Sequence, residues 1–465
     1  MMDYDVLILG GGIVGCIVAY ELSKYNLNIA LIEKDYDIAN ELSSNNTAII
    51  YDGSENKDEI MAALENKGAN LIRQYCKKFN VAYNKIGALR IVADESRYSI
   101  IYDMYKKARE RNIDGVHIIE DTAIYDIEPN LKMHANKALY SENIAVIQPY
   151  NLATSYAEVA ADNGVNFRLE EEVIDIKGIS KGFKITTNRN KFTCKFVINT
   201  IPNESFNEKY EESSQEVKNK KIEYISMNEK LDISMNGIVI NDISEEEFLI
   251  NIPTFSRGNL IGISSNKLLS LEEKLELAKD ISSEIKKELI NNIFSEAYNK
   301  DIMRIDDSNI EEGYLRVVGN HYAKITIAPI IAKEIEEKLK ENMNVTKKRD
   351  YIDRKREVFV FKNMSKEQRN KLIALDKRYG NIICNCNNIS EGEIVDSIRR
   401  PLGARTLEGV KRRTGIGNGS CNGSSCNIKI MKILAREMNK GLLDIVDDSM
   451  ESKILVGRIK EFNEI

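Results

Sequence analysis

The sequence predicts an α/β domain interrupted by a β-rich α+β insertion, with a small helical module at the C-terminus. Three observations carry this. Residues 5–33 read as strand, glycine-rich turn, helix and second strand. From there to about Asn342 strands and helices alternate without an evident repeat. Four of the seven cysteines then fall between positions 384 and 426.

Asp5–Leu9 reads as a buried strand, Gly10–Gly15 as the turn into a helix reaching about Tyr25, and Asn28–Ile32 as a strand ending at Glu33. Further strands are expected at Ala88–Val92, Phe183–Thr187, Phe196–Asn199, Gly237–Ile240 and Asn259–Ile263, and helices at Lys57–Phe79, Leu152–Asn163 and Leu271–Ile293. Asn203–Lys221 and Lys340–Asp353 are dense in charge and read as exposed linkers. The expected division is 1–342 for the main unit, 343–378 for a linker holding a short helix (Ser365–Leu375), 379–438 for the cysteine module, and 439–465 for a charged tail, helical after Lys453.

With 465 residues, 43% hydrophobic and 30% charged, the chain has room for two or three globular domains. A net charge of −6 argues against a general nucleic-acid binder, and the 21 tyrosines form no stacking stripe. The longest apolar run, Val6–Tyr20, falls short of the ~20 residues that span a bilayer. The acidic start, MMDYD, is unlike a secretory signal. A cytoplasmic protein is expected, with peripheral membrane contact and oligomerisation left open.

Gly10, Gly12 and Gly15 form G-x-G-x-x-G. The first glycine allows a tight turn, the second close approach of a pyrophosphate, and the third close helix–strand packing. The helix from Ile13 and Val14 points unpaired N–H groups at the phosphates. Glu33, followed by Lys34, can accept hydrogen bonds from ribose hydroxyls and would repel a 2′-phosphate, which disfavours NADP. The motif does not separate FAD from NAD.

Cys384-x-Cys386, 34 residues, then Cys421-x4-Cys426 is a set of four thiolates. Such a set suits an iron–sulfur cluster or zinc. Ser390 and Glu393 form a capping box for the first of two short helices between the pairs. Arg399, Arg400, Arg405, Lys411, Arg412 and Arg413 make the module basic. That charge is either a solvated face or a means of offsetting an anionic cluster and steering an acidic partner.

From YDVLILGGGIVGCIVAYELSKYNLNIALIEKD onward the chain resembles the FAD-dependent oxidoreductases of the D-amino-acid oxidase superfamily, most of all the anaerobic glycerol-3-phosphate dehydrogenase type. ALYSENIAVIQPYNLATSYAEVAADNGVNF, PTFSRGNLIGIS and VVGNHYAKITIAPIIAKEI carry the likeness further, the last through Gly319, Thr326, Ala328 and Pro329. The resemblance implies a Rossmann-type FAD-binding domain with an interrupting substrate domain. Asn46, Thr47 and Gly319 would then lie near the flavin. Residues 382–438, with RRPLGARTLEGVKRRT, resemble the bacterioferritin-associated-ferredoxin type [2Fe–2S] domain, which assigns [2Fe–2S] rather than zinc to the four cysteines.

Several positions depart from the family pattern. Tyr51 stands where the family has histidine, Thr200-Ile201-Pro202 replaces Ala-Ala-Gly, and Lys324 replaces a glycine. Candidate catalytic residues are His321 as a general base, Lys324 as a charge stabiliser, Arg257 as an anion clamp, and Tyr51. The resemblance implies a dehydrogenase acting on a small hydroxy acid or polyol phosphate. Electrons would pass from FAD through the cluster to a flavoprotein or quinone-linked subunit. The departures motivate an alternative: a catalytically degenerate electron-transfer or scaffold subunit.

Overall fold

A computed structural model describes residues 2–44, 47–92, 94–201, 219–227, 235–244, 247–255, 258–281, 285, 287–299, 303–417, 419, 421 and 423–457. The strand Tyr4–Leu9 lies between two parallel neighbours, Ile29–Ile32 and Lys191–Asn199. Its central residues are fully buried, the pattern of a parallel strand covered on both faces. Helix Ile13–Leu22 is buried along its whole length and packs against Pro149–Asp162 and Lys324–Asn342. A helix with no polar face belongs inside a core. Asn166–Arg168 extends the sheet beside Ile29–Ile32. Tyr314–Val318 returns to pair in parallel with Lys191–Asn199, so the chain re-enters the first sheet after the intervening insertion.

The insertion builds a second sheet, eight-stranded among the described residues. Its order is Ile290–Asn299, Asn219–Met227, Asn259–Ser264, Phe248–Pro253, Ile238–Asp242, Ala88–Ile91, Lys137–Ser141 and Val116–Glu120. A three-stranded sheet of Ile49–Ile50, Ala145–Ile147 and Tyr83–Lys85 joins the two units. Helix Glu59–Phe79 crosses Lys324–Asn342 at Gly68, where a β-carbon would come within 2.0 Å of the Thr326 carbonyl oxygen.

Two stretches differ from the sequence reading. The helix expected over 271–293 is the helix Leu271–Lys279, opened by a Ser270–Glu273 capping box, and then the strand Ile290–Asn299. That strand pairs antiparallel with Asn219–Met227, and Ile290, Ile293, Phe294 and Tyr298 suit a strand better than a helix. Residues 219–221, read as linker, already belong to a strand, whereas 203–218 lie outside the described residues.

Residues 343–361, expected within a linker, run as a strap along the first domain. Asn26 N–H donates to the Thr346 carbonyl at 2.8 Å, Ile352 N–H to Asn163 Oδ1 at 2.9 Å, and Tyr20 Oη to Asp353 Oδ1 at 2.9 Å. Helix Lys366–Leu375 follows, capped by Ser365.

In the C-terminal module, helices Glu391–Arg399, Leu407–Thr414 and Asn427–Met438 pack around Ile394, Val410, Ile430 and Leu434. The Ser390–Glu393 capping box forms as its sequence predicts. After Lys453 the described tail, to Gly457, is not helical.

Candidate functional site

A cavity of about 380 Å³ opens at the carboxyl end of Tyr4–Leu9. Gly10, Gly12, Ile13, Val14, Glu33 and Lys34 line it together with Gly319 and Lys324. Gly10 has φ +95°, and a β-carbon there would press within 2.9 Å of Ile201 Cγ1. Gly15 lies beneath the turn, where a β-carbon would sit 2.0 Å from the Gly10 carbonyl oxygen. The first intrahelical bond is Cys16 N–H to Gly12 O at 3.0 Å. The N–H groups of Ile13 and Val14 therefore face the cavity without an intrahelical partner.

Glu33 sits beside the glycine turn. Its Oε2 accepts from Gly11 N–H at 2.6 Å and its Oε1 from Asp35 N–H at 2.9 Å. Burial raises its pKa. Lys324 Nζ stands 3.6 Å from Glu41 Oε2, and the other oxygen of Glu41 lies against Gly12. A turn of glycines, a helix N-terminus and a half-buried carboxylate in one elongated cleft fit the pyrophosphate and ribose of FAD.

The remaining sequence candidates lie elsewhere. His321 is buried, and its Nδ1 accepts from Ala323 N–H at 3.1 Å. Burial pulls its pKa down to about 4, so the ring is neutral with its proton on Nε2. Its acceptor nitrogen is already engaged and it does not line the cavity, so this geometry gives it the role of shaping the Gly319–Lys324 loop rather than of a base. Tyr51 is half-buried between the domains, its ring edge-on to Tyr322 at 4.9 Å, and its N–H donates to Thr326 Oγ1 at 3.1 Å. Thr47 is buried. Asn46, Pro202 and Arg257 lie outside the described residues.

The sequence reading missed several lining residues. Glu171, Glu172 and Val173 border the cavity because Glu171 N–H bonds the Glu33 carbonyl at 2.9 Å. No local motif marks them. Thr200 anchors the turn by donating from Oγ1 to the Leu9 carbonyl at 2.8 Å. Behind the cavity, Glu65 is buried with Asn56 Nδ2 donating to it at 2.7 Å, and burial pushes its pKa up to about 8.

The four C-terminal cysteines form two pairs at one end of their module. Cys386 and Cys421 Sγ atoms are 3.7 Å apart, and the Cys384 thiol meets buried Cys426. Backbone N–H groups of Ser425 and Gly423, with the Cys386 thiol, bring Cys421 down to about 7. Burial pushes Cys426 up, so Cys421 is the thiol shifted toward ionisation, and four cysteines brought together as two pairs supply the kind of donor an iron–sulfur cluster takes.

Three of the basic residues of this module face the first domain rather than open solvent alone, whereas Arg399 is exposed and pairs with Glu437 inside the module. Arg413 grips Asp37 with both terminal nitrogens, at 2.6 and 2.7 Å. Arg400 grips Glu158 at 2.5 and 2.7 Å, and Arg405 reaches Glu170 at 3.2 Å. Three of the cations dock the module onto the first domain. Asp37 lies two positions beyond the cavity-lining run Glu33–Asp35.

Residues 5–231 match the FAD dependent oxidoreductase (DAO) family and residues 382–436 match the BFD-like [2Fe-2S] binding domain. The chain is an FAD-dependent oxidoreductase carrying a C-terminal [2Fe–2S] domain. More particularly, it is similar over 98% of its length to a glycerol 3-phosphate dehydrogenase of Caloramator mitchellensis, with 29% identity and 99% of that protein covered. A glycerol 3-phosphate oxidase of Mycoplasma pneumoniae is 27% identical over 43% of this chain and 53% of its own length. The fold is shared with the FAD-bound, dithionite-reduced L-alpha-glycerophosphate oxidase from Mycoplasma pneumoniae (TM-score 0.65, 21% identity, 76% of this chain and 98% of that one). It is also shared with glycine oxidase from Geobacillus kaustophilus (TM-score 0.61, 17% identity, 76% and 97%). No helix of the described residues is long and apolar enough to cross a membrane.

Proposed function

We propose that this chain is a glycerol 3-phosphate dehydrogenase, or one acting on a closely related small polyol phosphate or hydroxy acid, that delivers electrons to a separate acceptor. The observation that carries the reading is the co-linear likeness to a glycerol 3-phosphate dehydrogenase across both the oxidoreductase unit and the cysteine module. When bound, FAD would supply a hydride acceptor for a carbon bearing a hydroxyl, and the cluster a one-electron carrier.

The chain's own residues hold and orient these groups. Gly10, Gly12, Ile13 and Val14 cradle the pyrophosphate, and Gly15 lets the helix approach the strand. Glu33 and Lys34 border the ribose, and Gly319 lies toward the ring, while the family resemblance assigns Asn46 and Thr47 to the flavin as well. Lys324, a cation in a mostly buried position, stabilises negative charge developing nearby. Cys384, Cys386, Cys421 and Cys426 hold the cluster. Tyr51 and Arg257 are assigned to the substrate side. The physiological acceptor is a flavoprotein or quinone-linked subunit, and the protein works in the cytoplasm, where peripheral contact with a membrane would serve a quinone.

The test is anaerobic purification followed by a substrate panel. Glycerol 3-phosphate should bleach the bound flavin. Failure of every polyol phosphate and hydroxy acid tried would leave the electron-transfer or scaffold role in its place.

A further inference from the structure

We propose that the second helix of the cysteine module, Leu407–Thr414, supplies the anion-binding wall of the substrate cavity, with Lys411, Arg412 and Lys362 holding the phosphate of a small phosphorylated polyol. The inference rests on the function proposed above and names the subsite that recognises the anion.

A second cavity, of about 490 Å³, lies where the first domain, the β-rich sheet and the cysteine module meet. Val146, Leu260 and Phe294 give it an apolar floor, and Gln148 and Ser226 offer polar groups at its side. Its charged lining carries more cations than anions. Lys362, Lys411, Arg412 and Arg413 face it, and although Lys411, Arg412 and Arg413 are paired with Glu408, Asp448 and Asp37, the cations remain in excess in a chain whose net charge is −6. A cavity with low-dielectric walls and an excess of one charge favours ligands of the other sign.

Arg412 makes the case specific. Its side chain is only 8% exposed. Nη2 donates to Asp448 Oδ1 at 2.5 Å. Nη1 is buried without a hydrogen-bond partner, its nearest carboxylate oxygen, Asp37 Oδ2, being 3.8 Å away. Asp37 is already engaged by Arg413 and by Tyr150 Oη at 2.8 Å. A buried guanidinium N–H left unpaired is costly, and a turn of this side chain away from Asp37 would bring it to the cavity, where a phosphate oxygen is the acceptor that satisfies it. Lys411, held by Glu408 at 2.6 Å, lines the same wall.

The placement also suits the chemistry. The cavity touches Ala48 on one side and Gly415 on the other. The Gly415 carbonyl accepts from Asn387 Nδ2 at 3.0 Å, next in sequence to Cys386. A substrate anchored here lies between the oxidoreductase unit and the cysteine pairs, and the module would complete the substrate site as well as carry electrons away from it.

The experiment uses the full-length protein with both cofactors bound. Calorimetric titration with inorganic phosphate is compared between the natural protein, the double variant Lys362→Ala/Lys411→Ala, Arg412→Lys, and the control Lys432→Ala on the outer face of the last helix. Phosphate should bind the natural protein and the control alike, and roughly tenfold or more weakly the double variant and Arg412→Lys. In steady state, KM for glycerol 3-phosphate should rise by a similar factor while kcat stays within about twofold, with flavin and iron contents unchanged. Equal phosphate affinity in all four proteins, or no phosphate binding by the natural protein, overturns the proposal. Loss of phosphate binding in the variants, even if glycerol 3-phosphate fails to bleach the flavin, supports the subsite and overturns only the assigned reaction.

Discussion

Asp37 and Arg413, 376 positions apart, form a two-pronged ion pair in which both side chains are almost fully buried. Tyr150 completes the cluster by donating its hydroxyl to Asp37. The pair clamps the cysteine module onto the loop that leads away from the nucleotide cleft, so module position and cleft geometry are mechanically linked.

Removing one partner leaves the other buried and unpaired. Arg413→Ala should therefore lower unfolding free energy by about 3–5 kcal/mol. Asp37→Ala/Arg413→Ala should recover part of that loss, because no orphan charge remains. Denaturant unfolding checks both. Equal stability of the single variant and the natural protein would mean that the clamp is not formed in solution.

How far the sequence reveals this architecture depends on the range of the interactions. The βαβ opening is legible because Tyr4–Leu9, the glycines and Glu33 lie within one short stretch, and their spacing is itself the constraint. The cysteines are legible for the same reason. The role of Arg400, Arg405 and Arg413 is not, since each partner lies more than 200 positions away and a local reading sees only a basic helix. Strand Ile290–Asn299 is hidden by a charged, helix-like neighbourhood, and its pairing with Asn219–Met227 is a tertiary choice. His321 looks like a base in sequence because it adjoins a glycine of the cleft, yet burial and the Ala323 N–H take its acceptor nitrogen out of use.

Glu33 is the cleft's carboxylate nearest the glycine turn. Glu33→Ala should weaken FAD binding by roughly tenfold to a hundredfold, the usual worth of a hydrogen bond to a charged group. Fluorescence titration of the apoprotein with FAD measures it. An unchanged dissociation constant would remove Glu33 from the ribose site.

Glu65 sets one pH dependence. Its folded pKa is about 8, against about 4.3 in an unfolded chain. Between those values the folded protein holds a proton that the unfolded chain has released, so this group's contribution falls as pH rises. Glu65→Gln should remove the falling limb and be more stable than the natural protein at pH 8, by about 1–3 kcal/mol. Urea midpoints at pH 6 and 8 decide it. A variant that loses ground at pH 8 would mean that Glu65 is ionised and paired.

His321 works in the opposite direction. Its folded pKa of about 4 lies below the roughly 6.5 of an unfolded histidine. Across that window the unfolded chain binds the proton, so stability rises with pH and is lost as pH falls. His321→Asn, which keeps an acceptor for Ala323 N–H, should flatten stability between pH 4.5 and 6.5 without abolishing flavin reduction. A loss of kcat of a hundredfold or more with intact flavin would return His321 to the role of base.

The central claim is that a flavin and a [2Fe–2S] cluster on one chain exchange electrons drawn from a small phosphorylated substrate. Anaerobic mixing with glycerol 3-phosphate, followed by flavin absorbance and by the electron paramagnetic resonance of the cluster, tests it most directly. The account predicts flavin bleaching and then a reduced-cluster signal, with bleaching retained and the signal absent in Cys421→Ser. A natural protein whose flavin bleaches while its cluster stays oxidised, or whose flavin never bleaches, would contradict it.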